Sequence, residues 1–389
     1  MRIVIEATAA LSGGKVYLTN LLPQFAALAF QHEFIIFHND DLNVQNLKIS
    51  GPNVSFRSVN LPASNERNWL WVSVLKVFWR LFVFPWHLWR LRPAMVFSNT
   101  GFGPAWRPRG VKLALALHNS APFHSELQKE EGSLVRRLRL AGLHWLLNAT
   151  LRTGDCAIVF SQDLKQLAAA RSPKLANAAV IYHGIDWGER ERNAPPEVSV
   201  LGHYGVRQPY LLYVSQFHRY KNVHRLLDAF ARMRDSAELS LVLVGKPADE
   251  NYEQEIAKTI VRLGLETRVK MIPGVKREQL KPLYRSAHGF VYPSLVENCP
   301  FAVLEALAYG LPIATSRQSA LPEMAGEAAI YFDPYSVEDM ARAMERLVWD
   351  EALRGELREK AIAQAAGFTW EKTARQTLQV FEAIGRRSG

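Results

Sequence analysis

Two carboxylates eight residues apart, Glu297 and Glu305, bracket a turn in the stretch from Tyr292 to Pro312. Carboxylates accept hydrogen bonds from hydroxyl groups, so a pair set on either side of a diphosphate is suited to grip the two sugars of a nucleotide-sugar. Between them Pro300 opens a run of good helix formers, 301–309, closed by Gly310. Proline suits the first turn of a helix because the N–H it lacks has no partner there. The leading amides of that helix, at Phe301 and Ala302, carry the positive end of its dipole and attract phosphate. The apolar run 289–294 precedes the turn, so the whole stretch reads as strand, loop, helix and stop.

Two further groups sit where a sheet would present them. His118 ends the apolar run 111–119, at the C-terminal end of a predicted strand, where open α/β sheets place their ligands. A lone histidine there serves either packing or a ligand. Near the N-terminus the strand Arg2–Ala7 runs into Gly13 and Gly14 and then a periodic apolar segment, 16–28. Strand, glycine turn and helix leave an opening for close backbone approach, although the Gly-x-Gly-x-x-Gly spacing of a dinucleotide site is missing. The glycine pair alone fits a tight turn and a ligand contact equally well.

The elements that must hold these groups alternate. The second half reads as strands at 210–215, 239–245, 269–274, 289–294 and 311–316, with helices at 223–234, 252–263, 278–285 and 300–309 between them. Such alternation predicts a parallel sheet covered by helices on both faces. The first half offers strands at 33–38, 54–59, 94–99, 111–119, 156–161 and 178–184, and Ser161 opens a helix. The stretch 187–208, rich in charge, Pro and Gly and without periodicity, reads as a linker. The expected division is a first domain 1–186, the linker 187–208, a second domain 209–369 and a closing helix 370–389.

At 389 residues, 48% hydrophobic and 22% charged, the chain has the composition of two globular domains. Cys156 and Cys299 are its two cysteines, which gives no disulfide framework and points to a reducing compartment. Glu6 argues for an opening strand and against a signal peptide. The net charge of +10 is lopsided: residues 1–185 hold 20 Lys+Arg against 10 Asp+Glu, and residues 186–389 hold 27 of each. A basic half suits lipid headgroups, a phosphorylated acceptor or nucleic acid. Residues 67–92 carry half of the ten tryptophans, interrupted by Lys76, Arg80 and Pro85. They predict a helix kinked near Pro85, whose aromatic side either packs on the sheet or lies at a bilayer interface. Residues 133–153 contain no acidic group and space Leu134, Leu138, Ala141 and Trp145 at helical intervals, a basic amphipathic helix for an anionic membrane or for its own domain. The arginines are not interleaved with a stacking platform, so no nucleic acid partner is expected.

The order Pro-Ser-x-x-Glu…Glu-Ala-x-Ala-x-Gly-x-Pro from Pro293 to Pro312 resembles the signature of glycosyltransferase family 4. The resemblance covers 209–385 closely and 1–186 loosely. Its loop is poorer in glycine than the family's, with Asn298 and Pro300 in place of small residues, and a stiffer loop narrows the donors that fit. The resemblance implies the GT-B architecture, an α/β protein of two Rossmann-like doubly wound domains with the active site in an interdomain cleft. It also implies retaining transfer of a sugar from a nucleotide diphosphate donor.

By the same resemblance Lys221 and the helix head at Phe301 and Ala302 stabilise the diphosphate, Glu305 binds the ribose and Glu297 the transferred sugar. His118 contacts that sugar, and Gly13 and Gly14 face the donor phosphates or the acceptor. Val275 contacts the base through its backbone. The family's arginine, five residues before Lys221, is Gln216 here; either Arg219 supplies the missing cation or the donor binds with one fewer. His118, Lys221 and Glu297 are thus the expected catalytic residues. No Asp-x-Asp occurs, so neither a metal nor another cofactor is expected. The implied partners are a nucleotide-sugar and a lipid-linked or saccharide acceptor in cell-envelope glycan synthesis. Anionic membrane would be met through 67–92 and 133–153, which places the protein in the cytoplasm, peripheral on the inner face of the cytoplasmic membrane. An epimerase or phosphorylase on the same fold is the alternative.

Overall fold

A computed structural model describes residues 1–8, 12–39, 42, 44, 47, 49, 51–61, 69–118, 120, 123–124, 142, 148, 150–185, 198–234, 237–246 and 250–386. The chain forms two compact units, Met1–Gly184 with Trp370–Gly389, and Ile185–Thr369.

The first unit opens with β1 (Arg2–Ala7), α1 (Ser12–Leu28), β2 (Glu33–His38) and β3 (Val54–Ser58). A long helical stretch follows: α2 (Trp69–Phe78), a π-turn (Trp79–Val83) and α3 (Phe84–Leu91). Then come β4 (Met95–Ser98), β5 (Lys112–Leu117), β6 (Cys156–Val159), α4 (Gln162–Arg171) and β7 (Ala179–Val180). Among the described residues the strands pair in the order β3-β2-β1-β4-β5-β6-β7, all parallel. The order reverses between β1 and β4, and in open sheets that switch point is where ligands settle, beyond the strands' C-terminal ends. Ile3, Val4, Ile5 and Ala7 are wholly buried, as a central parallel strand covered on both faces requires. Ser161 caps α4, its Oγ accepting from Leu164 N at 3.1 Å.

One expectation for this unit needs correction. The helix predicted from residue 16 begins at Ser12 and takes Gly13 and Gly14 into its first turn. It tolerates them because the lack of a Cβ lets Gly14 lie against its neighbours, where a Cβ would meet Asn99 Nδ2 at 3.1 Å. Near Pro85 the helix changes pitch in a π-turn. Proline fits the first turn of α3, and the π-turn lies just before it, where Phe84 N donates back to Trp79 O. The two alternatives for this helix divide between its faces. Trp79, Phe84 and Leu88 join Val4, Phe37 and Val96 in the core, while Trp71, Phe82, Trp86 and Trp89 are exposed. The predicted helix 133–153 and the linker stretch 187–197 lie for the most part outside the described residues.

The second unit starts with α5 (Val198–Tyr204), a helix where a structureless linker was expected. Leu201 is its buried anchor, and Tyr204 reaches Gln279 at 3.3 Å; one turn or two is too short to register as periodicity. There follow β8 (Tyr210–Val214), α6 (Val223–Arg232), β9 (Ser240–Val244), α7 (Glu250–Arg262), β10 (Val269–Ile272) and α8 (Arg277–Ser286). The unit ends with β11 (Gly289–Tyr292), α9 (Phe301–Ala308), β12 (Ile313–Ser316), α10 (Leu321–Ala325), β13 (Ala329–Phe332), α11 (Val337–Trp349) and α12 (Glu351–Ala365). Its sheet runs β10-β9-β8-β11-β12-β13, also parallel, with the switch point between β8 and β11. The edge strand β13, half-exposed along most of its length, is a four-residue apolar run for which no element was expected.

The last helix, α13 (Trp370–Arg386), belongs to the first unit. Phe381 packs against Phe25 of α1 and Phe97 of β4, and Thr373 Oγ1 donates to Tyr182 O at 2.8 Å.

Candidate functional site

The switch point of the second sheet brings the chain beyond β8 against the chain beyond β11. Leu295 N donates to Tyr220 O at 2.9 Å. Asn222 sits in the left-handed region at φ 65°, a conformation Asn accepts readily, and its Nδ2 donates to Pro293 O and Pro334 O at 3.2 and 2.7 Å. This clamp fixes the short 3-10 turn Arg219–Lys221 and aims Lys221 inward. On the opposite loop, Glu297 N donates to Ser319 Oγ and the same hydroxyl donates to Glu297 O, at 3.1 and 2.6 Å.

The two side chains so held meet. Lys221 Nζ is paired with the Glu297 carboxylate, both buried, and donates to Tyr292 Oη at 3.3 Å. The rings of Tyr220 and Tyr292 lie 5.2 and 5.6 Å from the ammonium. Burial works against the charge, but the Glu297 carboxylate and the surrounding tyrosine oxygens outweigh it and hold the Lys221 pKa well above its ordinary value.

The second carboxylate is held separately. Tyr284 Oη donates to Glu305 Oε2 at 3.0 Å and also reaches Ala302 O at 3.3 Å, which ties the head of α9 to α8. Burial pushes Glu305 up to about 7 against the pull of Arg277 and the Tyr284 hydrogen bond. Tyr284, Phe290 and Tyr292 stack in sequence at 5.8 and 5.7 Å, so one aromatic ladder backs both carboxylate positions. Phe301 and Ala302 open α9, whose N-cap Pro300 supplies no side-chain cap.

Val275 follows β10 in a loop closely fitted to its neighbour: Gly274 lies under the Lys246 stem, and a Cβ there would stand 3.0 Å from Lys246 Cε. Gly245, at φ 151°, leaves room for nothing, since its Cβ would fall 1.7 Å from Ser215 O. Arg219 pairs its guanidinium with Glu255 of α7 and stacks 5.2 Å from the Tyr252 ring.

In the first unit the switch point gathers Gly14, Asn99 and His118. Asn99 Nδ2 donates to Gly14 O at 3.1 Å, which leaves Asn99 Oδ1 as an acceptor, 2.9 Å from His118 Nε2. His118 Nε2 therefore carries the proton. Its ring stacks on Phe160 at 4.4 Å and lies 4.9 Å from Tyr17, and burial pushes its pKa down to about 3. His183 stacks 5.6 Å away, and burial, then repulsion from His118, holds it well below its ordinary value too. Gly13 precedes Gly14 in the first turn of α1.

Nothing in their types or spacing singles out Asn99, Tyr284 or Tyr292, because their role is to hold other residues. Glu6 did carry a signal, a carboxylate within an apolar strand. It is buried beyond reach of water and accepts from Thr8, Ser98 and Thr100, the last two at 3.4 and 3.0 Å, with Arg80 at 3.9 Å.

Comparison with known proteins fits this arrangement. Residues 12–184 match the family described as "Glycosyl transferase 4-like domain", and residues 204–366 match "Glycosyl transferases group 1". O-antigen chain mannosyltransferase B of Escherichia coli is 29% identical over 180 residues, 46% of this chain and 46% of that protein. MMP alpha-(1->4)-mannosyltransferase of Mycolicibacterium hassiacum is 35% identical over 171 residues, 43% of this chain and 41% of that one. The chain thus spans less than half the length of these two relatives. The fold of Anabaena HepE, solved with UDP and glucose, matches 98% of this chain and 100% of its own with a TM-score of 0.73 at 17% identity. Two parallel-sheet Rossmann-like units, each matched by its own glycosyltransferase family, place the chain among the GT-B glycosyltransferases of the family 4 type.

Proposed function

We propose that the protein is a retaining hexosyltransferase that moves mannose from a GDP-mannose-type donor to a lipid-linked or polysaccharide acceptor in cell-envelope glycan synthesis. The observation that carries this reading is the buried Lys221–Glu297 pair at the switch point of the second sheet. An ammonium and a carboxylate held side by side present one donor and one acceptor, which suit a phosphate oxygen and a sugar hydroxyl in turn. The mannosyltransferase relatives support mannose; HepE, solved with UDP, keeps a UDP-sugar as the competing donor.

In the proposed reaction the bond between the anomeric carbon and the diphosphate oxygen breaks, and a new one forms to an acceptor hydroxyl on the same face. The hydroxyl proton passes to the departing phosphate. Negative charge grows on the diphosphate, so Lys221 and the head of α9 at Phe301 and Ala302 stabilise the transition state more than the ground state. Glu297 accepts from the sugar, Glu305 from the ribose, and neutral His118, its Nε2 proton given to Asn99, accepts from the transferred sugar through Nδ1. The Val275 backbone lies against the base, and Gly13 and Gly14 leave backbone open to the substrate. Fixed cations make a metal unnecessary in this scheme, and added EDTA is expected to leave turnover unchanged.

The acceptor chemistry is supported by the basic first unit and by the O-antigen relative, and a lipid-linked acceptor favours work at the cytoplasmic face of a membrane. A thermal shift panel of GDP, UDP, ADP and their sugars tests the donor. A ligand at 100 times its Kd adds about 2.7 kcal/mol, so GDP and GDP-mannose should raise Tm most; indifference to every nucleotide would sink the reading.

A further inference from the structure

The helix through Trp69–Leu91 turns two apolar faces outward from its axis, and the described chain covers one of them. Val72, Trp79, Phe84 and Leu88 are buried in the unit. On the other face Trp71 is 63% exposed, Phe82 57% and Trp89 58%, with Phe78 and Trp86 between them. The Phe78 and Phe82 rings lie 5.2 Å apart across the start of the π-turn, so the aromatic row is continuous there. Trp106, from the loop before β5, adds a further half-exposed ring. A monomer seldom exposes so many large apolar side chains together without a use for them.

The backbone of this helix is also prepared for a medium poor in water. Pro85 has no N–H, so Leu81 O loses its α-helical donor, and the π-turn sends Phe84 N to Trp79 O, which leaves Arg80 O in the same position. Both carbonyls are satisfied from outside the helix: Ala105 N donates to Arg80 O at 3.2 Å and Trp106 Nε1 to Leu81 O at 3.0 Å. Water reaches such carbonyls at a free surface, whereas an apolar contact that excludes water leaves them dependent on these protein donors.

Charge identifies the occupant. From residue 67 to residue 125 the sequence has eight Lys+Arg and no Asp or Glu. Arg90 rests over the exposed Trp86 ring at 5.7 Å, and Arg92 and Arg109 are exposed. A second copy would bring the same cations against these with no carboxylate to meet them, which costs association. An anionic lipid surface offers the opposite sign, and tryptophan favours the headgroup layer, where its ring is apolar and its N–H is wet. Among the described residues no helix is long and apolar enough to cross a membrane, so the contact is a helix lying on the surface.

We propose that the exposed face of residues 71–89, together with Trp106, inserts into the headgroup layer of an anionic bilayer with the helix parallel to the surface. This goes beyond the transferase reading, and neither depends on the other.

Sedimentation with phosphatidylcholine vesicles, with and without phosphatidylglycerol, tests it on the full chain at low salt. The protein should bind the mixed vesicles, leave them as salt rises and shift its tryptophan emission to the blue when bound. The triple variant Trp71→Ala, Phe82→Ala, Trp89→Ala should bind about a hundredfold more weakly. Its far-UV circular dichroism and its Tm without vesicles should match those of the unaltered chain, which shows that the variant folds. Equal binding by the triple variant, binding unaffected by phosphatidylglycerol, or a concentration-dependent dimer that the triple variant dissolves would each overturn the proposal. A protein that binds vesicles but no nucleotide would leave it standing and remove the transferase reading instead.

Discussion

Trp106 donates its indole N–H to Leu81 O at 3.0 Å, repairing a helix from 25 positions away. The carbonyl needs repair because Pro85, four residues on, has no N–H to give. Replacing Trp106 by Phe keeps the ring and removes the donor, which should cost about 1 kcal/mol in a urea titration. In a Pro85→Ala background the helix recovers its own donor, and the same Trp106→Phe change should cost nearly nothing. Additive losses in that double-mutant cycle would show that the indole bond plays no such part.

The Lys221–Glu297 pair predicts an asymmetry between stability and activity. Lys221→Met leaves a buried carboxylate uncompensated and should lower stability by about 3 to 5 kcal/mol. Adding Glu297→Gln removes the stranded charge and should restore most of that loss without restoring transfer. A double variant that regains kcat/KM would mean that neither charge meets the substrate.

Glu305 predicts a pH dependence with a definite sign. Burial raises its folded pKa from 4.5 to about 7. The stability gained by burying a neutral carboxyl is therefore complete below pH 4.5 and is lost as pH rises through about 7. Ribose hydroxyls donate to the ionised form, so nucleotide affinity should move the other way and strengthen across pH 6 to 8, as calorimetry would register. Glu305→Gln should bind about tenfold more weakly at pH 8 and lose this dependence. A variant that keeps the slope would assign it to another group.

These cases mark what sequence could reveal. Lys221, Glu297 and Glu305 stand at fixed intervals beyond strands whose apolar runs are plain, and the parallel sheet of the second unit follows from the same alternation. The pairing of Arg219 was out of reach because its partner, Glu255, lies on another helix, 36 positions away. Gly13 and Gly14 read as a turn because glycine is a poor helix former, yet both enter α1, and a Cβ on Gly14 would stand 3.1 Å from Asn99 Nδ2. The π-turn was legible only as a kink near Pro85, since its pitch is settled by a competition among backbone donors around that proline.

His118 offers the sharpest test in the first unit. Asn99 orients it through Oδ1, and burial holds its pKa near 3, so the ring should stay neutral with its proton on Nε2 from pH 5 to 8. Because the folded pKa is depressed, the stability linked to this ring is present above about 6.5 and is lost as pH falls toward 3. Long-range proton–nitrogen NMR should show one unchanging tautomer over that interval, and Asn99→Ala should mix the two tautomers. His118→Ala is expected to lower kcat/KM by tenfold to about a hundredfold, the value of one hydrogen bond to the sugar. A ring that titrates near 6.5 in the intact protein would contradict the enclosure formed by Tyr17, Phe160 and His183, and with it the assignment of a neutral partner to the substrate.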